Sequence, residues 1–206
     1  MSNQPESMTD HWWWRPGWRR GRRFYTWHIT FADQPDVCRL IGAYRDALAG
    51  LSGLDLIPDQ WLHLTTQGIN FVDEVDEHDV AAIVDAARSR LAKVPAFDVR
   101  FGTPVVTPEA VETFAEPAGP VAAVRDAIRA AIGDVLPEVP ENAAGFRPHV
   151  SVAYSSSDGP AAPILAAVAA ASVPPATARI TSAELIVLHR DNFMYEWEPF
   201  AQVPLG

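Results

Sequence analysis

With 206 residues, 48% of them hydrophobic and 20% charged, the chain has the composition of one globular domain with a sizeable core. A formal charge of −10 argues against bulk, sequence-independent binding to nucleic acid, and the single cysteine, Cys38, excludes an intrachain disulfide or a zinc–thiolate cluster. Residues 1–11 lack an apolar signal segment, and the longest apolar stretch, 161–173, is too short to span a bilayer, so a soluble, cytoplasmic protein is expected.

The charge is unevenly spread. Residues 1–27 carry Arg15, Arg19, Arg20, Arg22 and Arg23 against Glu6 and Asp10, and "HWWWRPGWRRGRRFYTW" (11–27) holds five of the seven tryptophans. Residues 1–21 are therefore read as a Trp/Arg-rich arm preceding a single domain, 22–206, with room for two lobes. Arginine interleaved with aromatics suits stacking on bases and neutralising phosphate. It suits covering a sheet edge or groove wall equally well, and that reading is preferred slightly. Arg19, Arg20, Arg22 and Arg23 are the better ligand candidates within it.

"RRFYTWHITF" (22–31) alternates and reads as a strand, with Thr26, His28 and Thr30 on one face. "DVCRLIGAYRDALAG" (36–50) places Val37, Leu40, Ile41, Tyr44 and Leu48 on one helical stripe. Strand character returns at 60–69, and helical spacing at 78–94 turns Val80, Ile83, Val84, Ala87 and Leu91 inward. Residues 96–106 and 110–117 read as paired strands, 120–135 as a helix, 136–146 as a loop and 147–155 as a strand. A short helix at 160–172 and a closing hairpin, 178–190 with 194–205, complete the chain. The order predicts an α+β fold with antiparallel pairing and a crude duplication, in which a histidine-bearing strand follows the first helix of each half.

Those two strands carry "LHLTT" (62–66) and "PHVSV" (148–152), with His63 and His149 86 residues apart. Alternate residues of a strand share a face about 6.5–7 Å apart. His63 therefore stands beside Thr65, and His149 beside Ser151, opposite apolar sets that can pack under helices. Two imidazoles supply an acid and a base near neutral pH, and two hydroxyls can donate to the oxygens of a phosphate. A single His-x-Thr string is weak evidence, since "WHITF" repeats the pattern at His28 and Thr30; the matched pair is the signal.

The tetrads "HLTT" (63–66) and "HVSV" (149–152) resemble the signature of the 2H phosphoesterase superfamily, particularly its 2′-5′ RNA ligase-like and cyclic phosphodiesterase branches. Departures are Thr66 in place of an aliphatic residue, Ser151 where threonine is common, and "AYS" where many relatives have an arginine that Arg147 could replace. The resemblance implies a bilobal pseudo-symmetric fold, two antiparallel sheets forming a central groove with helices outside. It further implies a monomeric, metal-independent enzyme with no cofactor, acting on an RNA end or small nucleotide phosphodiester such as a 2′,3′-cyclic phosphate, with possible 2′-5′ ligation. By analogy His63 is the acid and His149 the base, with Thr65 and Ser151 binding phosphate. His28, Arg147, Tyr195 and His189 are candidates to line the groove, with packing or surface roles favoured for His28, Tyr195 and His189. The alternatives are a non-catalytic RNA- or nucleotide-binding module using the same groove, and a metallohydrolase using both histidines with Asp or Glu ligands.

Overall fold

Alternation and helical stripes resolve into two four-stranded antiparallel sheets in a computed structural model that describes residues 4–206. Residues 1–3 of the expected arm lie outside the described residues. In chain order the elements are β1 (Ser7–Met8), β2 (Phe24–Thr30), α1 (Pro35–Leu48), β3 (Leu54–Leu56), β4 (His63–Phe71), α2 (Glu77–Leu91), β5 (Phe97–Phe101) and β6 (Val105–Val106). There follow β7 (Ala110–Phe114), α3 (Ala118–Gly133), β8 (His149–Ser155), β9 (Gly159–Pro160), α4 (Ala162–Ala170), β10 (Ala176–Ile180), β11 (Ser182–His189) and β12 (Glu196–Pro204).

One sheet has the order β12-β11-β2-β4 and the other β3-β8-β7-β6, so β4 with His63 and β8 with His149 belong to different sheets. The helical stripes are buried as their spacing predicts: Val37, Leu40, Ile41, Tyr44 and Leu48 in α1, and Val80, Ile83, Val84, Ala87 and Leu91 in α2. Their partners reveal an exchange between the lobes. Helix α1 follows β2 of the first sheet yet packs on β3, β8 and β10, whereas α3 follows β7 of the second sheet yet packs on β4 and α2. Each lobe is covered by a helix that the other lobe's strand leads into. Neither buries its core alone, which ties the two into one folding unit.

Two strand readings are corrected. The apparent single strand over 178–190 breaks at Thr181: β10 pairs with β5, while β11 runs between β12 and β2. Similarly, of 96–106 only Val105–Val106 pairs with β7, because Phe97–Phe101 belongs with β10. A strand that changes partners keeps its alternation, so the pattern alone does not mark the break. The arm enters the fold through β1, which pairs with β9 beyond the second histidine strand.

Candidate active site

His63 begins β4 and His149 begins β8, and each is held by the same local device. The Nδ1–H of His63 donates to the Trp61 carbonyl at 2.8 Å, and that of His149 donates to the Arg147 carbonyl, also at 2.8 Å. Both rings are thus fixed in the tautomer that leaves Nε2 bare, two residues downstream of the carbonyl that anchors them.

The strands match again after the hydroxyl residue. His28 of β2 pairs with Thr65 and Trp27 with Gln67, so Thr66 is an unpaired bulge residue. On the other lobe Glu112 of β7 pairs with Ser151 and Val111 with Ala153, so Val152 is the bulge. An extra residue shifts alternation by one. On β8 this turns Tyr154 to the same side as His149 and Ser151, where strict alternation would have hidden it. Thr66, the departure in the first tetrad, serves its bulge: its hydroxyl donates to the Trp27 carbonyl at 2.9 Å. Buried Arg125 then donates through Nε to the Thr66 carbonyl at 2.9 Å and through its Nη atoms to Ala143 and Asn142.

His63, Thr65, His149 and Ser151 line one cavity of about 170 Å³, together with His11, Glu112, Tyr154 and Tyr195. The two tetrads found in the sequence therefore line one cavity, and Tyr195, for which a packing or surface role is favoured from the sequence, lines it too. His28 does not. It is buried behind Thr65, its Nε2 3.1 Å from Thr65 Oγ1 and its ring stacked on that of His63. Arg147 points away from the cavity, over the Phe114 ring, and His189 lies near Asp191 and Glu196 instead.

Three cavity residues escaped the sequence reading. Glu112, whose carboxylate is 3.6 Å from His149 Nε2, is the one carboxylate in the otherwise uncharged strand "AVETF" and could have been found as such. Tyr154 depends on the bulge. His11 comes from the arm, where nothing local marks it. It stacks on Tyr154 with centroids 4.3 Å apart, and its Nε2 is 3.0 Å from the Tyr195 hydroxyl.

The electrostatics follow from packing. Burial lowers His63 to about 4, against a smaller upward pull from its bond to Trp61. Trp197 contributes to that burial, edge-on to both His63 and His28. Burial first, then His63, holds His28 well below the ordinary imidazole value. Burial, helped by Arg15 and Arg190, lowers His11 to about 3, and burial raises both Tyr154 and Tyr195. Among the described residues no group of three or more His, Cys, Asp or Glu side chains is placed to hold a metal ion, and no helix is long and apolar enough to cross a membrane.

The arm is fastened across both lobes. Trp12 is buried and donates through Nε1 to Asp55 at 2.7 Å, while buried Arg190 donates to the His11 carbonyl and lies against Trp12, Trp14, Trp18 and Tyr195. Its arginines meet this chain's own acids: Arg15 with Glu109, Arg19 with Asp73, Arg22 with Asp73 and Glu74, and Arg23 with Asp191. Arg20 alone of the five has no such partner among the described residues.

Two sheets, each presenting a histidine and a hydroxyl to a shared cavity, define a two-histidine fold of the phosphoesterase kind. The family model of the 2′-5′ RNA ligase superfamily matches residues 33–192, and the chain belongs to that superfamily, within the 2H phosphoesterases. Among solved structures it is similar to TT0787 of Thermus thermophilus, at 17% identity and a TM-score of 0.67 over 89% of this chain and 97% of that one. It is also similar to E. coli LigT complexed with 3′-AMP, at 14% identity and a TM-score of 0.66 over 89% of this chain and 98% of that one. A protein of Agrobacterium tumefaciens, ATU0111, shares 14% identity and a TM-score of 0.58 over 87% of this chain and 85% of its own. At these identities the likeness is one of fold. A search of the curated proteins finds no match.

Proposed function

We propose that this chain hydrolyses 2′,3′-cyclic phosphates or related RNA and nucleotide phosphodiesters, with His63 and His149 as its proton-transfer groups. The observation that carries the reading is the shared cavity: two imidazoles, each locked through Nδ1 to a backbone carbonyl, with a hydroxyl beside each. Binding alone does not call for two titratable groups held in the same tautomer.

The environments of the two rings favour a division of labour opposite to that expected by analogy. His63, lowered to about 4, enters turnover neutral and suits the base. His149 is more open, with the Glu112 carboxylate as a counter-charge 3.6 Å from Nε2, and suits the acid. A water oxygen attacks phosphorus as His63 Nε2 takes one of its protons. The bond from phosphorus to the ribose 3′ oxygen breaks, and His149 Nε2 protonates that oxygen. The product is a 2′-phosphate, and solvent restores both rings. Thr65 and Ser151 donate to the non-bridging oxygens, where charge develops. The same groups run in reverse would join a 2′-phosphate to a hydroxyl, the 2′-5′ ligation.

The two imidazoles supply both proton transfers, so no metal ion is required. The test is a panel of nucleoside 2′,3′-cyclic phosphates, cyclic-phosphate RNA ends and 2′-5′ dinucleotides assayed with EDTA present. Turnover that falls by on the order of 10²–10⁴ in His63→Ala and in His149→Ala supports the proposal. Full activity in either variant, or binding without turnover by the wild-type protein, sinks it; the second result would make the chain a binding module.

A further inference from the structure

Next to the catalytic cavity lies a larger one, of about 570 Å³, walled by Phe114, Arg147, Val105 and Val106 and closed on one side by Pro5 and Glu6 of the arm. From it we infer a nucleobase-binding subsite on the His149 side of the catalytic centre, built on Phe114 and Arg147. The inference rests on the phosphodiesterase reading and specifies where the rest of the substrate lies.

Size gives the first argument. Small-molecule sites run from about 300 to 1,000 Å³. The catalytic cavity, at about 170 Å³, falls below that range and suits a phosphate with part of its ribose; the neighbouring cavity falls within it. Continuity is the second. Phe114 is the cross-strand partner of His149, their rings 6.1 Å apart, and Arg147 reaches the cavity while its carbonyl anchors His149 Nδ1. A nucleoside attached to a phosphate at His149 meets Phe114 next.

The chemistry of the walls is the third. The Arg147 guanidinium lies 4.2 Å above the Phe114 ring, and among the described residues no hydrogen bond or carboxylate engages it. In a chain of net charge −10, whose arm arginines are nearly all paired internally, Arg147 is an exposed cation stacked on the flat apolar surface of an aromatic ring; Glu6 shares the cavity, but among the described residues it forms no ion pair with Arg147. Val105, one of few large apolar side chains left exposed, extends that surface. A base is flat, polarisable and linked to an anion, and every base has a face to stack. The subsite therefore favours a nucleoside over a bare sugar phosphate while discriminating weakly among bases.

The experiment compares nucleoside 2′,3′-cyclic phosphates with 1-O-methylribose 2′,3′-cyclic phosphate, which has no base. For the nucleoside substrates Phe114→Ala and Arg147→Ala are expected to raise KM roughly 5- to 100-fold, the range of one lost base stack, with kcat little changed. The base-free substrate should be turned over equally by wild type and variants, Phe114→Trp should restore the nucleoside KM, and Arg147→Lys, which keeps charge without the planar face, should not. Unchanged nucleoside KM in both alanine variants overturns the subsite, as does an equal KM rise on the base-free substrate. Should wild type hydrolyse none of these, the phosphodiesterase reading fails by itself. The subsite is then decided by titrating AMP and ribose 5-phosphate into wild type and Phe114→Ala: it stands if only AMP loses affinity and falls if the two behave alike.

Discussion

The ring of His28 lies flat against that of His63, their centroids 4.2 Å apart and their planes 7° from parallel. The same ring reaches Thr65 Oγ1 through Nε2 at 3.1 Å, while its Nδ1 is buried without a partner. A buried N–H with no acceptor is the costlier group to leave unpaired, at about 1–3 kcal/mol. The proton therefore sits on Nε2 and is donated to Thr65, whose own hydroxyl proton is left to face the cavity. In nitrogen-15 NMR His28 should remain the neutral Nε2–H tautomer from pH 5 to 8. His28→Leu should lower kcat roughly 10-fold, about one hydrogen bond's worth of orientation, with a smaller change in KM. His28→Gln, whose amide can donate to Thr65, should recover part of the loss. A ring that titrates near the ordinary imidazole value would remove the basis of this prediction.

The lowered His63 bears on the pH profile. A base works while unprotonated, so lowering its pKa from 6.5 to about 4 extends activity towards acid. In short assays, the acid limb of kcat/KM should fall near pH 4 rather than near 6.5. Burial causes the shift and Trp197 packs edge-on to the ring, so Trp197→Ala should move that limb upward. A wild-type limb at the ordinary value would overturn His63 as the base.

The arm is expected to matter first for stability. Trp12 is buried with its indole N–H on Asp55, and replacing such a side chain by alanine costs about 3–5 kcal/mol. Deleting residues 1–20 removes Trp12 together with the rings that cover Arg190. The melting temperature of both variants should fall well below that of wild type. His11→Ala should disturb Tyr195 and Tyr154 in the cavity with a smaller thermal effect, and would show as an altered KM. Truncation that raises KM while leaving the melting temperature intact would instead make the arm a substrate contact.

Period-two alternation and helical stripes made the α+β class and the two histidine-bearing strands legible, because burial of one face leaves a local imprint. His63 with Thr65 and His149 with Ser151 were readable for the same reason. The bulges at Thr66 and Val152 were not, since an inserted residue is defined by the partner strand, and Tyr154 was lost with them. His28 takes the packing role favoured for it: a His-x-Thr string identical in kind to the other two turns its ring into the protein, behind Thr65. The exchange of α1 and α3 between lobes leaves no mark in either helix, whose stripe records that it is buried but not against what. His11 reaches the site only because the arm folds back across the second lobe.

Acid should unfold this protein earlier than its carboxylates alone would dictate. His11 and His63 have pKa values lowered by burial to about 3 and about 4, and that of His28 is also well below 6.5. In the unfolded chain all three return to about 6.5. Between those values the unfolded state binds more protons than the folded one, so stability rises with pH through this window. The contribution is complete above about pH 6.5 and is lost as pH falls through the folded values. By pH 5, the loss from His11 and His63 is on the order of 2 kcal/mol each, a large share of an ordinary domain's margin. Urea denaturation at pH 7.5 and pH 5 should show that drop, proton uptake on unfolding at pH 5 should approach two from His11 and His63 with His28 adding to it, and His11→Asn should remove about one of those protons and flatten the dependence. A denaturation midpoint unchanged between the two pH values would show that these rings are protonated in the folded protein as readily as in the unfolded chain.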